Sequence, residues 1–242
     1  MTPGFTPVAE LWSYLSAAPL TWLTATILAY LAADTFARRL RNPPWANPVL
    51  FSVLLLAPVL WLTRTDYATY FEGAQFIHFL LGPATVALAL PLWENRATIA
   101  RAVLPIMLAL CVGSLVAAAS AIALAQALGL SRDVILSLAP KSTTAPVALG
   151  VSEAVGGIPT LTAVLVIMTG VIGAIIVTPM MNMLRIKDWR ARGFAVGVAA
   201  HGIGTARAFQ VNPVAGAYAG IAMALNALLT SLIVPVLVGW MM

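Results

Sequence analysis

Charged residues cluster, and between the clusters the chain runs uncharged for 23 residues from Leu11 to Ala33, 22 from Asn42 to Thr63, 21 from Gly73 to Trp93 and 30 from Ala102 to Ser131. A helix rises 1.5 Å per residue, so about 20 apolar residues cross the roughly 30 Å hydrocarbon core of a bilayer. Each run therefore predicts a membrane-crossing helix, and the fourth is long enough to cross at a tilt. A fifth run of 31 residues, Ala154 to Leu184, predicts another, its helix starting at the turn Gly156-Gly157-Ile158-Pro159. The last 35 residues, Ala208 to Met242, hold a sixth.

Two stretches interrupt this pattern. Between Arg132 and Glu153 the apolar runs are short and carry Lys141, Ser142, Thr143 and Thr144 between two prolines, a composition that cannot face lipid at mid-membrane. Between Gly193 and Gln210 a glycine-rich apolar run carries His201, Thr205 and Arg207. Positive residues favour the cytoplasmic side, so Arg38, Arg39 and Arg41 place the first connection inside and the N-terminus outside. With the basic cluster 185–192 also inside, segment 134–155 enters and leaves on the outer face and segment 193–211 on the inner one. Two full crossings by broken helices, meeting where they unwind, are the alternative, at the expense of one violation of the charge rule. Either arrangement resembles the inverted repeats of transporters and brings the polar tips together near the centre. The expected fold is an all-α polytopic membrane protein: one integral membrane domain over 1–242, with about six full spans and two irregular segments, 134–155 and 193–211, in an inverted-repeat arrangement.

Composition agrees: 61% of residues are hydrophobic and 9% charged, against roughly 25% charged in soluble domains. The net charge of +5 comes from residues flanking apolar runs, which argues for membrane orientation and against nucleic-acid binding. No Lys or Arg precedes the first run, and the first charge of the chain is Glu10, so a retained span is expected there rather than a cleaved leader. The single Cys111 offers neither a disulfide nor a cysteine metal site within one chain, and neither metal nor cofactor is expected.

Pro140 and Pro146 bracket four polar residues, and neither flank can continue a single helix. An unwound tip results, at which Ser142, Thr143 or Thr144 can cap the half-helix that follows. Its free N–H groups and positive dipole end attract an anion, to which Lys141 adds a full charge; in a plainer reading, Lys141 snorkels and the hydroxyls only cap. In His201-Gly202-Ile203-Gly204-Thr205-Ala206-Arg207 the glycines permit close approach or left-handed backbone, and Arg207 can fork onto a carboxylate. His201 is the natural proton carrier, or else a structural histidine bonded to a backbone carbonyl. Glu153 is a candidate proton partner or an interfacial helix end. His78, near the kink expected at Gly82-Pro83, and Asn226, inside the last span, are candidates for lining the cavity; Asn182 is similar but nearer an end. Gly193/Gly197 and Gly216/Gly220 permit close helix packing within or between subunits, leaving a homo-oligomer open. Tyr67 and Tyr70 fit interfacial anchors. Phosphate-loop, H-E-x-x-H and G-x-S-x-G motifs are absent, and adjacent Lys141 and Ser142 point about 100° apart on a helix, so an enzyme is not expected.

The blocks Leu136-Ser137-Leu138-Ala139-Pro140-Lys141-Ser142-Thr143-Thr144-Ala145-Pro146-Val147-Ala148, Gly156-Gly157-Ile158-Pro159-Thr160-Leu161-Thr162-Ala163, His201 to Arg207 and Leu80 to Leu92 together resemble the LrgB/CidB family, in family order and over nearly the whole chain. Ala145 stands where the family commonly has a second threonine, and Asn212-Pro213-Val214-Ala215-Gly216 lacks an acidic residue often found there. The resemblance implies a multi-pass bacterial cytoplasmic (inner) membrane protein paired with a small LrgA/CidA-like membrane protein, similar also to the membrane region of the plastid glycolate/glycerate translocator. It implies one of two roles: holin- or antiholin-like control of murein hydrolase export and lysis, or transport of small carboxylates such as pyruvate, glycolate or lactate. The anion-friendly tips favour the second reading. On it the protein is a proton-coupled secondary carrier of small monocarboxylates, with Lys141, Ser142, Thr143, Thr144, Thr205 and Arg207 binding the anion and His201 and Glu153 as the proton-coupling candidates.

Overall fold

A computed structural model describes residues 18–43, 45–80, 83, 86–87 and 89–242. Among them the secondary structure is helical, with no strand. The elements are α1 (Pro19–Arg39), α2 (Pro48–Thr63), α3 (Tyr67–Phe79), α4 (Ala89–Glu94), α5 (Arg96–Arg101), α6 (Val103–Ala127), α7 (Arg132–Leu138), α8 (Ala145–Val155), α9 (Pro159–Met183), α10 (Trp189–Val211) and α11 (Pro213–Met241). Four of them, α1, α6, α9 and α11, are long and apolar enough to cross a membrane, whereas α2 is a shorter apolar helix. The third uncharged run is not one continuous helix among the described residues: α3 ends at Phe79 and α4 begins at Ala89. Glu10, the start of the first run and the Gly82 kink position lie outside the described residues.

The chain divides into two compact units, residues 1–83 and 84–242. In the first, the Asp34 carboxylate pairs with Arg38 one turn on in α1, at 2.7 Å, a modest support for the end of that helix. Gly73 lets α3 touch α1: a Cβ there would lie 2.1 Å from the Pro19 carbonyl oxygen. Trp22 is buried against the edge of Tyr70, whose hydroxyl lies 3.1 Å from Thr26 Oγ1. Tyr70 is thus a packing residue, while Tyr67 is exposed, as an interfacial anchor requires.

In the second unit α6, α9 and α11 frame two helical hairpins. The first consists of α7, a turn over 139–144, and α8. Two tight turns reverse the chain, Lys141 N donating to Leu138 O and Thr143 N to Pro140 O, both at 3.1 Å. Pro146 falls in the first turn of α8, where a missing N–H costs nothing, and α8 stops at Gly156 with φ 85°. The chain has by then returned alongside Leu136 and Ser137 of α7. A Cβ on Gly157 would lie 2.9 Å from Ser137 N, and Ile158 N donates to Ser137 Oγ at 2.8 Å. Thr162 staples the arms by donating to Ser152 Oγ (2.7 Å) and Ser137 O (3.1 Å).

The second hairpin is α10 itself. Asp188 caps its start, accepting from Arg190 N at 2.8 Å. The helix breaks at Ala200 (φ −129°, ψ 16°) and His201 (φ 40°, ψ −135°) and folds back on itself. A Cβ on Gly204 would lie 2.8 Å from Val196 Cγ2, and Trp189 and Val211, at opposite ends of the helix, line one crevice with Val177 and Met181 of α9. The expected break is therefore present, but the strained backbone falls on His201 rather than on a glycine. Gly202 and Gly204 stay helical, and Gly204 serves instead to let the arms close.

The hairpins occupy opposite ends of the frame. The first packs with Ala118, Ile122 and Ala125 late in α6 and Val234 and Val238 late in α11. The second packs with Ile106 and Leu110 early in α6 and Ala215 and Ala219 early in α11. Gly193 and Gly197 allow this, since Cβ atoms there would lie 2.1 Å from Ala215 O and 2.3 Å from Ala219 O. Their small-residue spacing therefore serves packing within the chain, as does Gly216, which lies under the Phe209 ring.

Candidate functional site

Asn226, midway along α11 and 1% exposed, joins the two hairpins. Its Nδ2 donates to Ser142 O at the first tip (3.1 Å) and to Val198 O just before the break of the second hairpin (3.2 Å). Carbonyls only accept, so the amide orientation is fixed, and Oδ1 accepts from Ser114 Oγ on α6 and, at 3.4 Å, from Thr230 Oγ1. One side chain thus ties both irregular segments to two of the framing helices, α6 and α11. From sequence alone Asn226 is no more than a candidate for lining the cavity.

At the first tip Ser142, Thr143 and Thr144 are buried and Lys141 is half-buried, its Nζ 3.5 Å from Ser142 Oγ. Thr144 stands at the N-cap of α8, yet its hydroxyl makes no capping bond, which corrects the expectation that these hydroxyls cap the helix. Thr143 Oγ1 and Thr144 Oγ1 are both buried without a hydrogen-bond partner. Buried hydroxyls ordinarily find one, so these two, at the positive end of α8, are open to a ligand that accepts hydrogen bonds.

His201, 4% exposed, donates from Nε2 to Val166 O on α9 at 2.9 Å. This is the geometry of the structural histidine foreseen in the sequence, and it leaves Nδ1 as the ring's basic nitrogen. Gly170 makes room for the ring, since a Cβ there would sit 2.7 Å from His201 Cε1. Gly173 does the same for Ala200, at 2.4 Å. Sequence reasoning missed this pair of glycines. Asn226 bonds Ser142 O and Val198 O with one amide, so the two tips are neighbours. Thr205 Oγ1 donates to His201 O at 2.7 Å and approaches Met223 Sδ.

The remaining predicted residues lie elsewhere. Arg207 lines the crevice at the mouth of the second hairpin with Trp189 and Arg192, and its Nη1 donates to Gln210 Oε1 at 3.3 Å. Glu153 is exposed near the end of α8, nine residues or about 13 Å of helix beyond Thr144. His78 is exposed in the first unit, edge-on to Phe71. Asn182 accepts from Arg192 Nη2, and Arg192 Nε reaches Ile186 O at 2.6 Å, fixing the connection from α9 to α10.

A helical frame of membrane-crossing length, holding a polar centre where two hairpin tips meet, defines a membrane protein. The chain belongs to the LrgB-like family, which matches residues 26–240. It is 36% identical to the uncharacterized protein YwbG of Bacillus subtilis over 90% of this chain and 97% of that one. To the holin-like protein CidB of Staphylococcus aureus (strain N315) it is 33% identical over 90% of this chain and 95% of that one. No solved structure matches.

Proposed function

We propose that the protein acts in the bacterial cytoplasmic membrane as a holin-like protein, in the sense of the name its CidB relatives bear, controlling passage across that membrane. The likeness to CidB, extending over 90% of the chain, carries this reading. In it six segments cross, the N-terminus lies outside, and the two hairpins enter from opposite faces as inverted repeats, the second from the basic cytoplasmic side. A small LrgA/CidA-like membrane protein is the proposed partner, and no covalent chemistry is involved.

One observation favours a second reading: the unpartnered Thr143 and Thr144 hydroxyls beside Lys141 at the start of α8. A passive pore has no use for a dry anion site, whereas a carrier of small monocarboxylates of the pyruvate, glycolate and lactate class does. Here the hydroxyls and Lys141 hold the carboxylate, Thr205 lies across the junction, Arg207 draws anions to the mouth of the second hairpin, and His201 couples a proton.

Liposomes containing the purified chain, loaded with a large polar dye and offered labelled pyruvate, glycolate or lactate with and without a pH gradient, separate the two. Dye release, unchanged in Lys141→Ala and Thr143→Val, supports the holin-like reading. Saturable uptake without dye release, lost in both variants, supports the carrier. Neither activity, with or without an LrgA-like partner, overturns both.

A further inference from the structure

An open groove of about 670 Å³ runs between α6 and the first arm of α10. Ala102, Ala109 and Gly113 on one wall and Ala191, Ala195 and Ala199 on the other are too small to fill it. Its floor is closed, since a Cβ on Gly113 would lie 3.2 Å from Val198 Cγ1. From Ala102 to Ala117 the groove follows α6 for about 22 Å, more than half the roughly 30 Å hydrocarbon core. Along this length its lining is apolar apart from Arg190 and Tyr218, the division of a phospholipid into acyl chain and charged headgroup.

The groove's mouth has the opposite character. There α6 and α10 both begin, so two positive dipole ends lie at this end of the groove. Ala102, at the N-cap of α6, supplies no side-chain cap. Arg101 directly precedes the groove in sequence, and Arg190 lines it with Tyr218. The acids of the two connections at this end are Asp188, already paired with Arg190 at 2.7 Å, and Glu94, which is outweighed by Arg96 and Arg101 in its own stretch. Arg185, Lys187 and Arg192 in the same connection leave the mouth net positive.

We propose that this groove binds one anionic phospholipid, with an acyl chain along the small-residue walls and the phosphate at the mouth between Arg101 and Arg190. The site is separate from the hairpin tips and does not depend on which transport reading holds.

The test is native mass spectrometry and thermal denaturation of the purified protein with added phosphatidylglycerol, phosphatidylcholine or inorganic phosphate. Phosphatidylglycerol is expected to be retained one per chain and to raise Tm, with phosphatidylcholine and phosphate having no such effect. Arg101→Gln and Arg190→Gln, both on the surface, should each weaken phosphatidylglycerol retention about fivefold, and Arg190→Lys should restore most of it. Ala109→Phe, or the milder Ala195→Ile, should abolish it by filling the groove. Equal retention of both lipids, stabilisation by phosphate alone, or retention that survives filling would overturn the proposal. So would groove-filling variants that keep the lipid and lose only an LrgA-like partner, which would assign the groove to a helix.

Discussion

Replacing Asn226 by leucine, a near-isosteric apolar side chain, removes both donors that hold Ser142 O and Val198 O and the acceptor of Ser114. Hydrogen bonds between membrane helices average about 0.6 kcal/mol and reach ~1.7. Val198 O precedes the break at Ala200 and His201, where the helical ladder is interrupted, so the loss falls in the upper range or adds part of the ~1–3 kcal/mol for a buried group left unsatisfied. The expected destabilisation is about 2–4 kcal/mol. Reversible unfolding in mixed micelles, measured for wild type, Asn226→Leu, Ser114→Ala and the double variant, gives both the loss and the coupling. Ser114→Ala should cost little more once Asn226 is gone. A loss below about 0.5 kcal/mol for Asn226→Leu, or full additivity with Ser114→Ala, would refute the reasoning.

Other predictions follow from close contacts and one charge. Gly170→Ala and Gly173→Ala push a methyl into His201 and Ala200, so each should lower stability by about 1–3 kcal/mol, read by the same unfolding assay, whereas Gly150→Ala, with open space around it, should be neutral or slightly stabilising. Gly193→Ala meets backbone at 2.1 Å and should cost more than either, by the same measurement. Arg190, hydrogen-bonded to Asp188, holds the Asp188 carboxyl down to about 2 from its ordinary 3.8. Its native pKa being lowered, Asp188 stabilises the start of α10 above about 4, and that contribution disappears as pH falls through about 2. Trp189 fluorescence should therefore change with pH between about 4 and 2, the change should be absent in Asp188→Asn, and nothing from this pair should titrate between pH 5 and 8.

Much of the framework was legible because its signal is one-dimensional. Charge-free runs located α1, α6, α9 and α11, and two prolines around four polar residues located the first tip, since proline chemistry is local. Partnerships were not legible. A lone Asn226 in an apolar run does not say which carbonyls it meets, and Gly170 and Gly173 matter only because His201 and Ala200 arrive opposite them. The break in α10 was expected at its glycines, which are permissive in isolation. The packing against α9 instead places it on His201, where the bond to Val166 O and the space above Gly170 hold the ring. Arg207 reads in sequence as part of the same motif as His201, but six residues of helix carry it about 9 Å toward the hairpin mouth.

The central claim is that two hairpins enter from opposite faces and meet at Asn226. Single cysteines replacing Arg132, Glu153, Arg190 and Gln210 in a Cys111→Ser background, treated with an impermeant maleimide in right-side-out and inside-out vesicles, test it directly. The account predicts that positions 132 and 153 react from one face only and 190 and 210 from the other only. Labelling of 132 and 153, or of 190 and 210, from opposite faces would contradict it, because each segment would then cross the membrane completely.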